Sequence, residues 1–108
     1  MNLFTLPPIL PNEEVFEALL PDCGILIERI ISGGQVTPAH QWYDQERDEW
    51  VLLLQGRGII TFEDGRENIL APGDWLLIPA HTRHRVTYTS AEPPCIWLAV
   101  HARLGMKK

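Results

Sequence analysis

Histidine and acidic side chains in two separate segments are the best candidates for chemistry in this sequence. His40 precedes a strand expected to begin near Glu49, and His81 and His84 follow a proline turn. If two sheets fold over each other, these segments meet and bring Gln45 with them. Imidazole nitrogens and a carboxylate together suit a divalent first-row metal such as Zn, Fe, Mn, Ni or Cu. The pattern therefore predicts a metal site, although a single histidine on a strand is more often a hydrogen-bonded structural residue.

Short runs of β-forming residues, separated by turn residues, follow Asp22 through the rest of the chain. Asp64-Gly65 is the strongest hairpin signal between two such runs, because glycine readily adopts a positive φ. Seven or more strands at a spacing of about 8–12 residues indicate a sandwich or barrel. The predicted strands are Ile25–Ser32, Trp50–Gln55, Gly58–Glu63, Glu67–Leu70, Trp75–Ile78, Arg85–Thr89 and Cys95–Ala102.

One helical signal precedes the strands. Asn12 is a suitable N-cap, acidic residues follow it in the first turn, and Pro21 stops the pattern. The apolar stripe consists of Val15, Phe16, Leu19 and Leu20. Such a short helix is marginal alone, so we expect it to pack on the barrel.

Size and charge restrict the possible functions. The chain has 108 residues, enough for one domain, and its 45% apolar content is that of a globular protein. A net charge of −5 without a basic stripe argues against nucleic acid and anionic membranes as partners. No signal peptide or bilayer-spanning run is evident, and two cysteines do not make a disulfide framework. We therefore expect a cytoplasmic protein with reduced thiols.

Some predicted strands are apolar on both faces, as in Trp50-Val51-Leu52-Leu53-Leu54. A strand of this kind must be covered on both sides. In a small protein the cover comes either from the helix or from another copy of the chain. This pattern predicts a homodimer.

Spacing within the two histidine-bearing segments carries a family resemblance. In the first, five residues separate Gly34 from His40, and six separate Glu49 from Gly56. The second, PGDWLLIPAHTRHRV, has the order G-x5-P-x-H-x2-H. Together they resemble the cupin signatures G-x5-H-x-H-x3,4-E-x6-G and G-x5-P-x-G-x2-H-x3-N. The resemblance implies an all-β, double-stranded β-helix, also called a jelly-roll barrel, with a divalent transition metal at its centre and one short N-terminal helix added here.

The resemblance also implies metal ligands, with one departure. His40, Glu49 and His84 match ligand positions, but the paired histidines of the first signature are missing because the interval before Glu49 is too long. Gln45 is the candidate with an oxygen donor for the second position, unless it is a surface residue of its acidic run. His40 follows closely after Pro38, so its ring points either inward or to solvent. The candidate ligands are His40, Gln45, Glu49 and His84.

Two further departures concern the second signature. His81 stands where the family has a glycine, and Tyr88 stands where it has an asparagine. His81 is either a fourth ligand, a hydrogen-bond donor to one of the metal ligands, a general base or a polar turn residue. Tyr88 shares a strand face with His84 and is expected either to line the cavity or to fill the core. In an enzyme, His81 and Tyr88 are the acid–base candidates.

Two functional hypotheses follow. The first is a metal-dependent cupin, residues 1–108, that binds a small polar molecule and either catalyses a reaction on it or does not. Its parts are an arm and helix (1–22), a barrel (23–102) and a tail (103–108). The second is a metal-free, non-catalytic barrel that serves for binding or assembly, because the paired histidines are absent.

Overall fold

Eight β-strands and their connections make up residues 1–105, the part of the chain that the computed structural model describes. The strands are β1 (Val15–Ala18), β2 (Ile25–Ser32), β3 (Asp48–Gln55), β4 (Gly58–Phe62), β5 (Glu67–Leu70), β6 (Trp75–Ile78), β7 (His84–Thr89) and β8 (Cys95–Ala102). They form a five-stranded sheet in the order β1-β2-β8-β3-β6 and a three-stranded sheet in the order β5-β4-β7. All pairings are antiparallel, which confirms the all-β prediction. Of the predicted tail, residues 106–108 lie outside the described residues.

The predicted N-terminal helix is wrong. Its central residues form β1, which pairs with β2 through Val15↔Ile31 and Ala18↔Glu28. A helix this short is marginal in isolation, whereas an added strand gains backbone hydrogen bonds from the edge of β2 and covers that edge. Nowhere in residues 1–105 is there a helix, and hence none of the length and apolarity needed to cross a membrane.

The core lies between the two sheets. The large sheet contributes Val51, Leu53, Ile78, Cys95, Trp97 and Ala99, and the small sheet contributes Ile60, Phe62 and Leu70. Each large apolar side chain buried there contributes roughly 1.5–3 kcal/mol to folding. Gly58 is part of this fit, because a Cβ atom there would lie 2.5 Å from the Trp97 ring. The predicted turn at Asp64-Gly65 joins β4 to β5, with Gly65 at a φ of 95°.

An N-terminal arm covers part of the outer face of the large sheet. The Arg29 guanidinium donates hydrogen bonds to the carbonyl oxygens of Leu3 and Thr5, at 3.1 and 2.7 Å. It also pairs with Glu17 across the β1–β2 ladder at 2.8 Å. These contacts satisfy a buried arginine and hold the arm against the sheet.

The rest of that outer face is apolar. Val51 faces the core, so its neighbour Trp50 faces outward on β3. Trp50 lies against Trp75 of β6, with their ring centroids 6.1 Å apart, and Trp75 is 59% exposed. The strand apolar on both faces therefore has one face in the core and one on this outer surface.

Candidate functional site

A cavity lies between the sheets, toward one end of the core. It offers about 60 Å³ of space that the centre of a water molecule can reach. Half of its lining is apolar, and Phe16 of β1, which is 53% exposed, lies at its mouth. The polar lining residues are Glu14, Glu28, Tyr43, Gln45, Glu49, His84 and His101. Among them are three of the four predicted metal ligands.

Glu49 and His84 face each other across this cavity from the two sheets. Glu49 is on β3 and His84 begins β7, and both side chains are buried. His84 Nε2 lies 3.6 Å from Glu49 Oε1, which is beyond hydrogen-bond distance. His84 Nδ1 lies 2.7 Å from the Thr82 carbonyl oxygen, so Nδ1 donates and carries the proton. The other ring nitrogen, Nε2, is therefore turned toward the Glu49 carboxylate.

Gln45 enters the cavity from the loop between β2 and β3. That loop pairs with the start of β7 and the turn before it. The Tyr43 N–H donates to the His84 carbonyl at 2.8 Å, and the His81 N–H donates to the Gln45 carbonyl at 2.8 Å. Within residues 1–105, the buried Gln45 Oε1 accepts no hydrogen bond. A buried acceptor without a partner costs about 1–3 kcal/mol, so this oxygen is available to a donor or a cation.

These three groups fit a divalent ion only in part. Two ligands about 2.1 Å from a tetrahedral ion lie roughly 3.4 Å apart, close to the separation of His84 Nε2 and Glu49 Oε1. Gln45 would supply an amide oxygen as third donor. Across residues 1–105, however, no three histidine, cysteine or acidic residues are arranged to hold an ion. The set is therefore one imidazole, one carboxylate and one amide, which fits an ion held less firmly than by two histidines and a glutamate.

His40 lies away from these groups. It is exposed, does not line the cavity and has a φ of 69°, in the left-handed region. The turn after Pro38 thus directs its ring outward, one of the two alternatives that the sequence leaves open.

His81 also lies outside the cavity. Its side chain is exposed, and its Nδ1 lies 2.8 Å from the Asp44 carboxylate. Its φ is 59°, so the backbone adopts the left-handed conformation that glycine favours. The Asp44 contact helps to hold the loop that carries Gln45.

Tyr88 points away from the cavity because of a β-bulge. Val86 pairs with Ile60, but Tyr88 pairs with Ile59, so Thr87 is an extra residue between them. One extra residue reverses the alternation of side chains beyond it. Val86 therefore lines the cavity while Tyr88 is 47% exposed.

Another Glu–His pair in the cavity was not predicted from the sequence. Glu28 of β2 and His101 of β8 come together on neighbouring strands, with Oε1 and Nε2 2.9 Å apart. Burial lowers the pKa of His101, but the hydrogen bond with Glu28 and the charges of Glu49 and Glu28 outweigh it and raise that pKa above 6.5. The alternation of β8, which puts His101 on the same face as Trp97, is the signal that could have identified it.

Glu14 and Tyr43 complete the polar wall. Burial raises the pKa of the Glu14 carboxyl, and the hydrogen bond that Ser32 donates to it partly opposes this. Burial, followed by the charges of Glu14 and Glu49, raises the pKa of Tyr43, so its phenol stays protonated at neutral pH. The Tyr43 ring stacks on His84 with centroids 5.6 Å apart. It thus supports the imidazole and adds a hydroxyl donor to the wall.

Comparisons with known proteins agree with this architecture. A family model described as a cupin domain matches residues 26–101. A Ralstonia eutropha JMP134 protein described as a putative mannose-6-phosphate isomerase is 45% identical, with 95% of this chain and 96% of that one covered and a TM-score of 0.89. No curated protein matches the chain.

More distant structures share the fold. A cupin superfamily protein of Desulfitobacterium hafniense DCB-2 is 23% identical, with 88% of this chain and 82% of that one covered and a TM-score of 0.73. An RmlC-like cupin of Methanocaldococcus jannaschii with a double-stranded β-helix fold is 16% identical, with coverages of 86% and 83% and a TM-score of 0.68. With the family model matching most of its length, this chain belongs to the cupin family.

Proposed function

We propose that this cupin holds a divalent first-row metal ion at Glu49, His84 and Gln45 and binds a small polar molecule beside it. The observation that carries the proposal is the pair of Glu49 and His84, 3.6 Å apart and not hydrogen-bonded, in the same cavity as the Gln45 amide, whose buried oxygen accepts no hydrogen bond from residues 1–105. Three polar atoms that leave one another unsatisfied in a cavity are suited to a cation.

The bound ion would supply Lewis acidity toward a substrate oxygen. The chain itself supplies the orienting groups: the Thr82 carbonyl accepts from His84 Nδ1 and fixes that ring, and the Tyr43 ring stacks on it in the cavity wall. Proton transfer has better support at His101 than at His81 or Tyr88, since the latter two are exposed outside the cavity and His101 lines it beside Glu28.

The similar Ralstonia protein favours an enzyme over a binding module. Its description names an isomerase of a small sugar derivative, and it is 45% identical over nearly the whole chain. Isomerisation of a small polar molecule requires a polarised oxygen and a group that moves a proton. In one cavity, an ion held by the candidate ligands would polarise the oxygen, and the Glu28–His101 pair would move the proton.

Metal content tests the proposal. Protein made without a histidine tag should contain close to one first-row metal ion per chain, and Glu49→Gln should lower that content at least tenfold. Glu46→Gln removes a similar charge from an exposed position and should leave it unchanged. Wild-type protein that binds no ion after incubation with Mn²⁺, Fe²⁺ or Zn²⁺ contradicts the metal site.

A metal-free binding barrel is the second candidate. It is favoured by the lack, in the described part of the chain, of three histidine, cysteine or acidic residues arranged around one point. In that case Gln45 and Glu49 accept hydrogen bonds directly from the ligand. Protein without bound metal that still binds a small polar molecule in this cavity supports this second candidate.

A homodimer through the outer face of the large sheet is part of the same proposal. The Trp50–Trp75 pair leaves an apolar surface there that a second copy can cover. Light scattering at tens of micromolar should give a dimer, and Trp75→Glu should give a monomer. Ile69→Glu is the matched control, because Ile69 is 73% exposed on the other sheet. A wild-type monomer contradicts the dimer.

A further inference from the structure

Apart from the two histidines, the charged side chains that line the cavity are all carboxylates. Glu14, Glu28 and Glu49 line it, and no lysine or arginine does. A divalent ion would balance two of the three carboxylates, and His101 is hydrogen-bonded to the third, Glu28, so no excess positive charge would remain for an anion. A phosphate group entering the cavity would lie near these carboxylates without a guanidinium or ammonium partner in the wall, which is costly where water is scarce.

Nearby arginines are placed outside the cavity wall. Arg85 lies over the Trp42 ring at 5.7 Å on the outer side of β7. Arg47 pairs with Asp22 at 3.1 Å in a surface groove that adjoins the cavity, shares part of its wall and also contains Arg103. None of these residues lines the cavity. Arg47 is paired with Asp22, and Arg85 donates to the Thr37 carbonyl oxygen at 3.4 Å, so both guanidinium groups already have protein partners outside the cavity.

The polar atoms that face the cavity are mainly hydrogen-bond acceptors. Glu14 and Glu28 each use one carboxylate oxygen, toward Ser32 and His101. Among residues 1–105, no hydrogen bond occupies their second oxygens or the oxygens of Glu49. A ligand that satisfies them must bring donors, and hydroxyl groups do so without adding charge.

From this we infer that the ligand of the cavity is a small, uncharged polyhydroxy compound and that its phosphorylated form is excluded. The inference rests on the proposed function, since the metal would bind one ligand oxygen while the carboxylates accept from its hydroxyl groups. The inferred ligand differs from the one that the Ralstonia protein's description names, which is a phosphorylated sugar.

A matched pair of probes tests the inference: glycerol and glycerol 3-phosphate, which share a carbon skeleton. In zinc-loaded protein, glycerol should shift the NMR signals of the Gln45 side-chain amide and the Trp97 indole N–H saturably. Glycerol 3-phosphate should bind there at least tenfold more weakly. Shifts at Arg103 alone with the phosphate would support the inference, since they place the anion in the outer groove. Stronger shifts of the cavity signals by glycerol 3-phosphate, or no shift by glycerol, would overturn it.

Variants identify the source of the discrimination. Glu14→Gln/Glu28→Gln should reduce the preference for glycerol at least threefold. Glu13→Gln/Glu46→Gln removes the same charge from exposed positions and should keep the preference. Glu14→Gln alone preserves the Glu28–His101 contact and should act in the same direction, so the test survives if the double variant does not fold. Equal preference in all variants would overturn the role of the carboxylates.

Repeating the titrations with EDTA separates this inference from the proposed function. If zinc never shifts the His84 signals, the metal site fails. The comparison of glycerol with its phosphate in metal-free protein then still reports whether the carboxylates exclude anions.

Discussion

The cavity contains two Glu–His pairs that differ in one respect. In Glu28–His101 the oxygen and nitrogen are 2.9 Å apart and satisfy each other, whereas in Glu49–His84 they are 3.6 Å apart and do not. Both histidines are buried, so burial is not the difference. His84 Nδ1 donates to the Thr82 carbonyl, which fixes the ring so that Nε2 faces the Glu49 carboxylate across a gap. We call Glu28–His101 the closed pair, since its hydrogen bond stabilises the fold. We call Glu49–His84 the open pair, since its gap leaves room for an ion.

Metal-linked stability gives the largest contrast between the pairs. An ion at 100 times its dissociation constant should stabilise the wild type by about 2.7 kcal/mol over protein in EDTA. His84→Gln should abolish this gain, because it removes a ligand of the open pair. His101→Gln should keep most of it. Urea unfolding with and without Mn²⁺ measures both, and equal gains in the two variants would show that the pairs do not differ in this way.

Stability without metal should show the opposite order. In EDTA, His101→Gln should lower the free energy of unfolding by about 1.5–2 kcal/mol, since it breaks a hydrogen bond to a charged group in a buried setting. Glu49→Gln should cost less than about 0.5 kcal/mol, as no hydrogen bond of Glu49 is lost. Urea unfolding at neutral pH provides the comparison, and a larger loss for Glu49→Gln would reverse our interpretation.

The closed pair should also depend on pH. The pKa of His101 is raised above 6.5 in the folded protein, so its contribution is full below pH 6.5 and declines as pH rises through the folded value. The destabilisation by His101→Gln should therefore be greater at pH 6 than at pH 9. Urea unfolding at the two pH values checks this, with Arg66→Gln at an exposed site as control. An unchanged cost would mean that Glu28 does not favour the protonated ring.

Glu14 should give the smallest effect. Its pKa is raised by burial, so its contribution to stability is greatest below 4.5 and falls as pH rises through its folded value. Glu14→Gln avoids burying that charge and should raise stability at pH 8, relative to wild type, by less than about 1 kcal/mol. At pH 4 the gain should nearly vanish, leaving the Ser32 contact as the remaining difference. Thermal unfolding at both pH values measures it.

Local sequence patterns determined much of the architecture. The turn at Asp64-Gly65 and the alternation in β4 are short-range features, and glycine and β-forming residues largely set them. The spacing around Glu49 and His84 also predicted two segments on facing strands, and their side chains lie across one cavity. Such features depend on neighbours within a few residues, so the sequence shows them directly.

Tertiary structure decided the rest. Val15–Ala18 became a strand because the edge of β2 was available, although its local pattern favours a helix. A bulge at Thr87 turned Tyr88 outward, and strand register brought Glu28 to His101, 73 positions apart in the chain. Edges, bulges and register are set by pairing between distant segments. For that reason, the amino-acid order determined which residues could do chemistry, while the packing of two sheets decided which of them share a cavity.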